Sequence, residues 1–308
     1  MKTPLVSVII PNYNHARFLD ERIQSVLNQT YQNFELIILD DKSTDNSVEV
    51  INKYRDDSHV SHIVVNEENS GSTFKQWHKG FELAKGEVIW IAESDDSCEP
   101  ALLETLVAKY VENDAVLVFC RSCKYDVKGN KRIYDLQSNL PWDLTLPGKD
   151  FIVKYMLERN SVANASSAIF SREVAMSLDR QYMTMKGNGD WLFWVEVMEH
   201  GKVTFVTKEM NFFRFHNSNT TQSLRHQGVS AIEYKKVFDY IVTHHQIAES
   251  DQKSVRLFYL TKFMGADYAS CTDRREVLKE WDKYRFWRVY LYLSNIKNET
   301  TLFLKNIF

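Results

Sequence analysis

Three carboxylates lie within four residues at Glu93, Asp95 and Asp96, directly after the apolar run of residues 88–92. Like charges at the end of a buried strand repel one another and are costly to remove from water. A divalent cation with oxygen ligands would turn the same groups into a binding site. An acidic turn exposed to solvent is the alternative, and the cluster by itself leaves both interpretations open.

The acidic cluster is the last of four polar segments that each follow a predicted strand. The strands are residues 6–10, 34–39, 61–65 and 87–92, and the polar segments are residues 11–14, 40–43, 66–72 and 93–96. Apolar residues at helical spacing predict intervening helices, the first with Asn14 as its N-cap, the others over residues 47–55 and 73–84. This alternation predicts an α/β fold with a mainly parallel central sheet flanked by helices. Because ligands bind at the carboxyl ends of such strands, we expect the four polar segments to line one crevice.

Two common nucleotide-binding motifs are absent from the sequence. No Gly-x-Gly-x-x-Gly follows the first strand, and no Gly-Lys-[Ser/Thr] phosphate loop occurs. A dinucleotide-binding fold is therefore not expected. Any diphosphate binding would have to rely on a metal ion.

The composition is that of a globular protein with a substantial core. The 308 residues include 44% hydrophobic ones, and a net charge of -3 argues against nucleic-acid binding, which needs a strongly basic domain. Four cysteines are too few for a disulfide framework, so we expect reduced thiols. The sequence predicts no signal peptide, and no apolar run approaches the roughly 18 residues that cross a bilayer. We expect a cytoplasmic location.

The order and spacing of three motifs resemble the family 2 glycosyltransferases, which have the GT-A fold. The motifs lie at residues 6–14, 39–45 and 92–96, and the resemblance covers about residues 4–223. It implies a transferase of the hexosyltransferase type that uses a nucleoside diphosphate sugar as donor and a glycan or lipid-linked saccharide as acceptor. It also implies Mn²⁺ or Mg²⁺ as cofactor and a setting in bacterial surface-polysaccharide synthesis.

The resemblance places the nucleotide at the first polar segments and the acidic cluster. The matching positions are Pro11, Tyr13, Asp40, Asp41, Asn69, Gly71, Lys75 and Ser94. A carboxylate accepts the imide N–H of uracil and an aromatic ring stacks on the base, so uridine diphosphate is the expected carrier. Asp41 matches the base contact, and two roles are open for Asp40, the base contact itself or a partner that orients it. Packing at the sheet edge is the alternative role for Tyr13, and turn formation is that for Asp41.

The family's Asp-x-Asp metal motif maps onto Glu93-Ser94-Asp95. Asp95 is the expected metal ligand, and Asp96 competes with it for that role. Glu93 stands where the family usually has Asp. Its longer side chain is expected near the diphosphate or sugar of the donor, in contact with a ribose hydroxyl or a metal-bound water. This departure leaves full activity in question.

A second family signature, Arg-x-His followed by small polar residues, matches Arg214, His216, Ser218 and Thr220. Neutral imidazole binds Mn²⁺, so His216 is expected to contact the metal or the diphosphate. The Arg214 guanidinium and the two hydroxyls suit phosphate oxygens.

Asp190 matches the residue that serves as catalytic base in the family. Its predicted place at a helix N-terminus also suits a capping aspartate. Trp191 and Trp194 would desolvate the carboxylate and raise its proton affinity, which favours proton removal from an acceptor hydroxyl. Asn164 and Ser166 match contacts to the donor sugar or acceptor, although packing of small residues explains them equally well.

The regular alternation of elements ends after a helix at residues 101–111 and a strand at 116–119. A polar, irregular stretch is expected over 124–149 and a strand pair at 203–206 and 211–215. We expect a GT-A catalytic domain over 1–225, with a nucleotide-binding part at about 1–120 and an acceptor part at about 121–225. A mainly helical region is expected over 226–308.

Basic and aromatic residues alternate over 274–292, a mixture suited to the surface of a membrane. A lipid-linked acceptor would give such a contact a reason, at the inner face of the cell membrane. Helical packing or a homo-oligomer interface is the alternative, because Glu276, Glu280 and Asp282 weaken attraction to anionic lipid.

Two functional hypotheses follow from these residues. The first is an inverting, metal-dependent glycosyltransferase with a uridine diphosphate sugar donor. The second is a catalytically weak or inactive sugar-nucleotide-binding subunit of a glycan-assembly complex, for which Glu93 is the main support.

Overall fold

The computed structural model describes residues 3–126, 131–132, 137, 139–140, 142–215 and 220–281. The chain divides after Asn219 into two compact units. The first unit contains the sheet, and the described part of the second is helical.

The first half of the sheet-containing unit alternates strands and helices as the apolar periodicity predicts. Its elements are β1 Val6–Asn12, α1 Ala16–Leu27, β2 Phe34–Asp40, α2 Ser47–Asn52, β3 Val60–Val65, α3 Thr73–Leu83, β4 Val88–Ile91, β5 Ser97–Cys98 and α4 Leu102–Asn113. Every residue of β1 and β2 is buried, which is typical of parallel strands covered on both faces.

The second half of this unit is less regular. Its strands and helices are β6 Ala115–Asp126, β7 Lys131–Arg132, β8 Leu144–Pro147, α5 Gly148–Phe151, β9 Ala168–Ser171, α6 Arg172–Ser177, α7 Gly189–Met198 and β10 Lys202–Phe215. Helix α5 continues as a π-helical turn over Ile152–Met156, and short 3-10 turns cover Ala165–Ser167 and Arg180–Thr184.

The strands form one mixed sheet in the order β3-β2-β1-β4-β9-β6-β10-β5, with β7 on β6 and β8 on β10. Strand β1 pairs in parallel with β2 and with β4, and β2 with β3. Strand β9 runs antiparallel to both of its neighbours, β4 and β6. The carboxyl ends of β1, β2 and β4 therefore meet at one edge of the sheet.

Aromatic side chains from α3, β9, α7 and the turn before α7 pack together beside this edge, and we call them the aromatic cluster. Its members are Phe74, Trp77, Phe81, Phe170, Tyr182, Phe193 and Trp194. All seven are buried, and the rings meet mostly edge to face, the arrangement that the aromatic quadrupole favours.

The prediction that Asn14 caps the first helix is wrong. Asn14 has a left-handed backbone with φ of 57°, and its side-chain oxygen accepts a hydrogen bond of 2.7 Å from the Thr44 amide. The Ala16 amide at the start of α1 donates instead to Asp45 Oδ2, at 2.9 Å. A carboxylate from the loop after β2 thus replaces the local cap.

Two predicted segments near the far edge of the sheet also differ. Residues 202–215 form the single strand β10 instead of a strand pair, and its pairing with β6 shifts register between Val206 and Asn211. The stretch 124–149, expected to be irregular, contains the end of β6 and the strands β7 and β8. Helix α2 ends at Asn52, earlier than predicted.

The described part of the second unit consists of the helices α8 Thr220–His226, α9 Val229–His244, α10 Glu249–Met264 and α11 Cys271–Trp281. Trp281 joins them: its ring contacts Phe238 of α9 and Tyr259 of α10, and its Nε1 donates to the Ala231 carbonyl at 2.8 Å. The expected helical character of this region is confirmed for residues 220–281. None of the helices within the described ranges is long and apolar enough to cross a bilayer. The basic and aromatic residues after Trp281 lie outside those ranges.

Glu196, on the buried face of α7, should make the stability of the protein depend on pH. Burial, and then the charges of Glu199 and Asp179, raise the pKa of Glu196 from 4.5 to about 8. Because the folded state holds this proton more tightly, the resulting stabilisation is complete below pH 4.5 and is lost as the pH rises towards 8. Glu196→Gln, which stays neutral, is expected to unfold at a higher temperature than the wild type at pH 8. The difference should be on the order of 2 to 4 kcal/mol at pH 8 and small at pH 5.

The check is thermal unfolding of both proteins from pH 5 to 8. The exposed Glu173 on α6 provides the control variant Glu173→Gln, which should follow the wild-type pH profile. Parallel pH profiles of the wild type and Glu196→Gln would contradict the assignment.

Candidate active site

Asp40, at the end of β2, is engaged inside the protein. Its side chain has no exposed surface, and Oδ2 accepts hydrogen bonds from Asn12 Nδ2 at 2.7 Å and from Ser43 Oγ at 2.6 Å. Oδ1 accepts from the Ser43 amide at 2.8 Å. Asp40 therefore joins the end of β1 to the loop after β2. Tyr13, directly after β1, is 47% exposed, whereas Pro11 is buried.

Asp41, the next residue, organises the loop after β3. Its Oδ1 accepts from Asn66 Nδ2, the Ser70 amide and Gln76 Nε2, at 2.6 to 2.9 Å. Oδ2 accepts from Ser70 Oγ at 2.8 Å. Within the described residues Oδ2 has this one donor, so a carboxylate oxygen retains the capacity to accept a further N–H. Asp41 is 5% exposed, whereas Asp40 has no exposed surface, so of the two carboxylates Asp41 is the one that reaches the surface.

The backbone carbonyl of Asp41 also binds the loop of residues 66–72. Asn69 Nδ2 donates to the Asp41 carbonyl at 2.8 Å, and Asn69 Oδ1 accepts from the amide of Gly71 at 2.7 Å. Gly71 has φ of 68°, which a glycine adopts without strain. Lys75, exposed on α3, donates to the Ser70 carbonyl at 3.3 Å. The structure thus brings Asn69, Gly71 and Lys75 to the same loop beside Asp41.

Asp96 is the most deeply buried member of the acidic turn, the segment 93–96 after β4. It is 1% exposed, and its Oδ2 accepts from Asn164 Nδ2 at 2.9 Å and from Ser166 Oγ at 2.7 Å. Oδ1 accepts from the backbone amide of Arg214 at 3.2 Å. Burial, and then the neighbouring charge of Asp95, raise the pKa of Asp96. These contacts tie the turn to the rest of the sheet.

Asn164 and Ser166, expected to contact sugar or acceptor, are the side chains that hold this turn. Besides binding Asp96, Ser166 Oγ accepts from the Glu93 amide at 3.0 Å. Asn164 Oδ1 accepts from the Ser166 amide at 2.8 Å and from Asn211 Nδ2 at 3.0 Å. Both side chains are thus occupied by protein groups.

Glu93 is half-buried and accepts a hydrogen bond of 2.9 Å from Trp77 Nε1. Burial, and then the charge of Asp95, raise the pKa of Glu93 to about 8. Three carboxylates crowded into one turn therefore repel each other here, as the sequence indicates. A cation bound to the turn would relieve this repulsion.

Arg214, at the end of β10, reaches the acidic turn. Its Nε donates to the Asp95 carbonyl at 3.0 Å, and its Nη2 pairs with Glu21 Oε1 at 2.6 Å. The guanidinium also lies over the ring of Phe18, 5.0 Å from the centroid. Arg214 is thus next to the expected metal ligand. His216 and Ser218, together with the side chain of Thr220, lie outside the described residues.

The donor set at the turn suits a metal that is shared with a substrate. Within the described ranges, no group of three or more His, Cys, Asp or Glu side chains is arranged to hold a metal ion by itself. Mg²⁺ and similar ions bind through one or two carboxylates plus substrate phosphates, so a complete protein cage is not required. Asp95 is half-buried and lies in the turn between Glu93 and Asp96. Carboxylate oxygens are ligands that such an ion accepts, so the residues present fit it.

Asp190 is the second residue of α7, so it is in the first helical turn and is not the N-cap, which is Asn188. Its Oδ2 accepts a hydrogen bond of 2.9 Å from Asn160 Nδ2, and it is half-buried. The preceding Gly189 leaves no room for a side chain, because a Cβ there would lie 2.4 Å from the Tyr182 carbonyl oxygen. Close packing thus fixes the position of Asp190 at the start of α7.

Three residues near the site were not predicted from the sequence. His15 Nδ1 lies 2.8 Å from Ser94 Oγ, and Trp77 binds Glu93. Arg22 has no exposed surface and lies over the ring of Trp90, 5.1 Å from the centroid. A signal for Arg22 exists in the sequence, because its position falls on the apolar face of α1. Trp77 likewise falls on the apolar face of α3, three residues after Phe74 and four before Phe81.

Comparison with known proteins gives a consistent result. Residues 7–178 match the family described as Glycosyl transferase family 2. Glycosyltransferase GlyG of Streptococcus pneumoniae is 37% identical over 152 residues, which are 49% of this chain and 46% of GlyG. The putative teichuronic acid biosynthesis glycosyltransferase TuaG of Bacillus subtilis is 27% identical over 208 residues, 67% of this chain and 77% of TuaG. The chain thus spans about half the length of GlyG.

Among solved structures, Staphylococcus aureus TarS residues 1–349 in complex with UDP superposes with a TM-score of 0.62 at 17% identity. The match covers 85% of this chain and 72% of that one. The likeness confirms the predicted fold, a mainly parallel sheet flanked by helices with a helical C-terminal part.

Proposed function

Because the chain belongs to glycosyl transferase family 2, we propose that it transfers a sugar from a uridine diphosphate donor to a hydroxyl of a glycan or lipid-linked saccharide. One observation carries the proposal. The parallel pairing of β1 with β2 and β4 puts Asp41 and the acidic turn at the same edge of the sheet. A nucleotide base at Asp41 would thus extend its diphosphate towards Asp95.

Base recognition in this proposal rests on Asp41 and Tyr13. Asp41 Oδ2 accepts the imide N–H of uracil, while the network from Asn66, Ser70 and Gln76 keeps the carboxylate in place. Tyr13, which is 47% exposed, offers a ring on which the base stacks.

The diphosphate is bound between the acidic turn and the end of β10. Asp95 would hold Mn²⁺ or Mg²⁺, with His216 as a further ligand, and the ion would neutralise charge on the leaving nucleoside diphosphate. Arg214 contributes a fixed positive charge beside Asp95. Asp96 is buried and holds the turn through its hydrogen bonds with Asn164, Ser166 and the Arg214 amide.

Asp190 accepts the proton of the acceptor hydroxyl. Asn160 orients the carboxylate through a hydrogen bond to Oδ2. The close packing of Gly189 against Phe74 fixes the distance between the start of α7 and α3. A single base on the face opposite the leaving group supports direct displacement with inversion at the anomeric carbon.

The test is release of nucleoside diphosphate from a panel of uridine, guanosine and thymidine sugars with Mn²⁺ or Mg²⁺ and no acceptor. We expect slow hydrolysis of a uridine diphosphate sugar and no comparable hydrolysis of the others. Binding of uridine diphosphate without turnover of any donor would instead favour a sugar-nucleotide-binding subunit.

A further inference from the structure

Glu93 differs from the aspartate usual in the family at this position, and the structure shows what the longer side chain does. Its Oε1 accepts the Trp77 Nε1–H at 2.9 Å, while its backbone amide donates to Ser166 Oγ at 3.0 Å. An aspartate is shorter by one carbon–carbon bond, about 1.5 Å. From the same backbone position its carboxylate would be too far from Trp77 for a hydrogen bond.

Trp77 also touches the helix that carries Asp190. It is 2% exposed on α3, and its ring lies 5.8 Å from that of Phe193 and 6.0 Å from that of Trp194, both on α7. One side chain thus contacts the acidic turn through its N–H and α7 through its ring.

A second contact between the same two helices lies next to Asp190 itself. Phe74, three residues before Trp77 on α3, approaches Gly189 so closely that a Cβ there would lie 2.7 Å from its ring. The rings of Phe74 and Trp77 meet edge to face at 5.2 Å. Helix α3 is therefore packed against the start of α7 without space for adjustment.

We propose that Trp77 is a positioning residue that holds Glu93 towards α7 and so sets the placement of the acidic turn relative to Asp190. This inference rests on the proposed function, which assigns diphosphate binding to the acidic turn and proton transfer to Asp190 on α7. It explains Glu93 as the partner of Trp77, and it predicts that the aspartate usual in the family is harmful here.

The experiment compares Trp77→Phe, Glu93→Asp and the double variant. Phe keeps a ring in the aromatic cluster and removes the N–H, and Asp keeps a carboxyl group and withdraws the acceptor. Because a misplacement of reacting groups by about 1 Å can cost about a hundredfold in rate, each single variant should lower kcat about tenfold to a hundredfold. The double variant should lose no more than the worse single variant, since both changes remove the same contact.

The readouts are kcat and KM for the sugar nucleotide that is hydrolysed fastest in the panel, and the Kd of uridine diphosphate with Mn²⁺. A positioning role should lower kcat and leave KM and Kd unchanged. A change in KM or Kd of less than about twofold counts as none, because effects at independent sites add only to within that factor. Trp281→Phe is the control: it removes a buried indole hydrogen bond in the second unit, to the Ala231 carbonyl at 2.8 Å. It should lower the unfolding temperature without changing kcat.

The inference is overturned if Trp77→Phe keeps wild-type kcat, if the losses of the two single variants add, or if Kd rises as much as kcat falls. Thermal unfolding of each variant identifies a loss of fold, and Glu93→Asp, at a half-buried position, remains informative if Trp77→Phe does not fold. A wild-type protein that neither binds nor releases uridine diphosphate would overturn the proposed function and this inference with it.

Discussion

Asp190→Asn is expected to lower kcat by a factor of about 10² to 10⁴ while leaving the affinity for uridine diphosphate within about twofold. Asparagine has the same shape, and its side-chain oxygen can still accept the hydrogen bond from Asn160 Nδ2. It cannot take up a proton, so the acceptor hydroxyl would lose its base. The measurement is kcat with acceptor present, together with titration calorimetry of uridine diphosphate and Mn²⁺.

The same substitution also removes a negative charge from the first turn of α7, where the helix dipole favours one. Glu173→Gln removes an exposed first-turn charge from α6 and so reports the cost of that effect alone. We expect Glu173→Gln to retain full activity. If Asp190→Asn retained it too, the base would have to be sought elsewhere in the site.

The part of the site nearest the sheet was predictable because the alternation of strands and helices follows from local pattern. Apolar runs that alternate with helical periodicity indicate parallel strands, and their polar ends then share an edge. This is why the sequence alone predicts that the acidic turn and Asp41 lie at one edge. The resemblance to the family added roles for residues whose own pattern is ambiguous, Asp190 above all.

The sequence does not predict which side chains form hydrogen bonds with residues far away along the chain. Asp95 and Asp96 are adjacent and chemically alike, yet Asp96 is engaged by Asn164 and Ser166, about 70 positions further along the chain. The backbone amide of Arg214 completes this set from β10. No local pattern says which of two neighbouring carboxylates such groups will bind.

The same reason explains the error at Asn14. Local rules favour Asn as an N-cap, but Asn14 instead accepts hydrogen bonds from Thr44, and Asp45 accepts the amide at the start of α1. Both partners lie in the loop after β2, which only the pairing of β1 with β2 brings close. The exchange connects the two loops that flank the proposed nucleotide site.

The second large effect is expected for Asp95→Asn, which should weaken Mn²⁺-dependent binding of uridine diphosphate by at least about tenfold. The variant should bind the nucleotide equally with Mn²⁺ and with a chelator, because its remaining affinity comes from groups such as Asp41 and Arg214. Titration calorimetry under both conditions measures this. Glu99→Gln, at an exposed carboxylate just beyond the turn, is the control and should keep the dependence on Mn²⁺.

Stability without metal separates a ligand role for Asp95 from a structural one. The charge of Asp95 raises the pKa of both Glu93 and Asp96, so near neutral pH it destabilises the folded turn. The Arg214 contact uses the Asp95 carbonyl and is unaffected by the change of side chain. Asp95→Asn should therefore unfold at a higher temperature than the wild type in chelator. With uridine diphosphate present, adding Mn²⁺ should raise its unfolding temperature no further. A lower unfolding temperature in chelator would show that Asp95 holds the turn together, and metal binding would then have to be assigned to other residues.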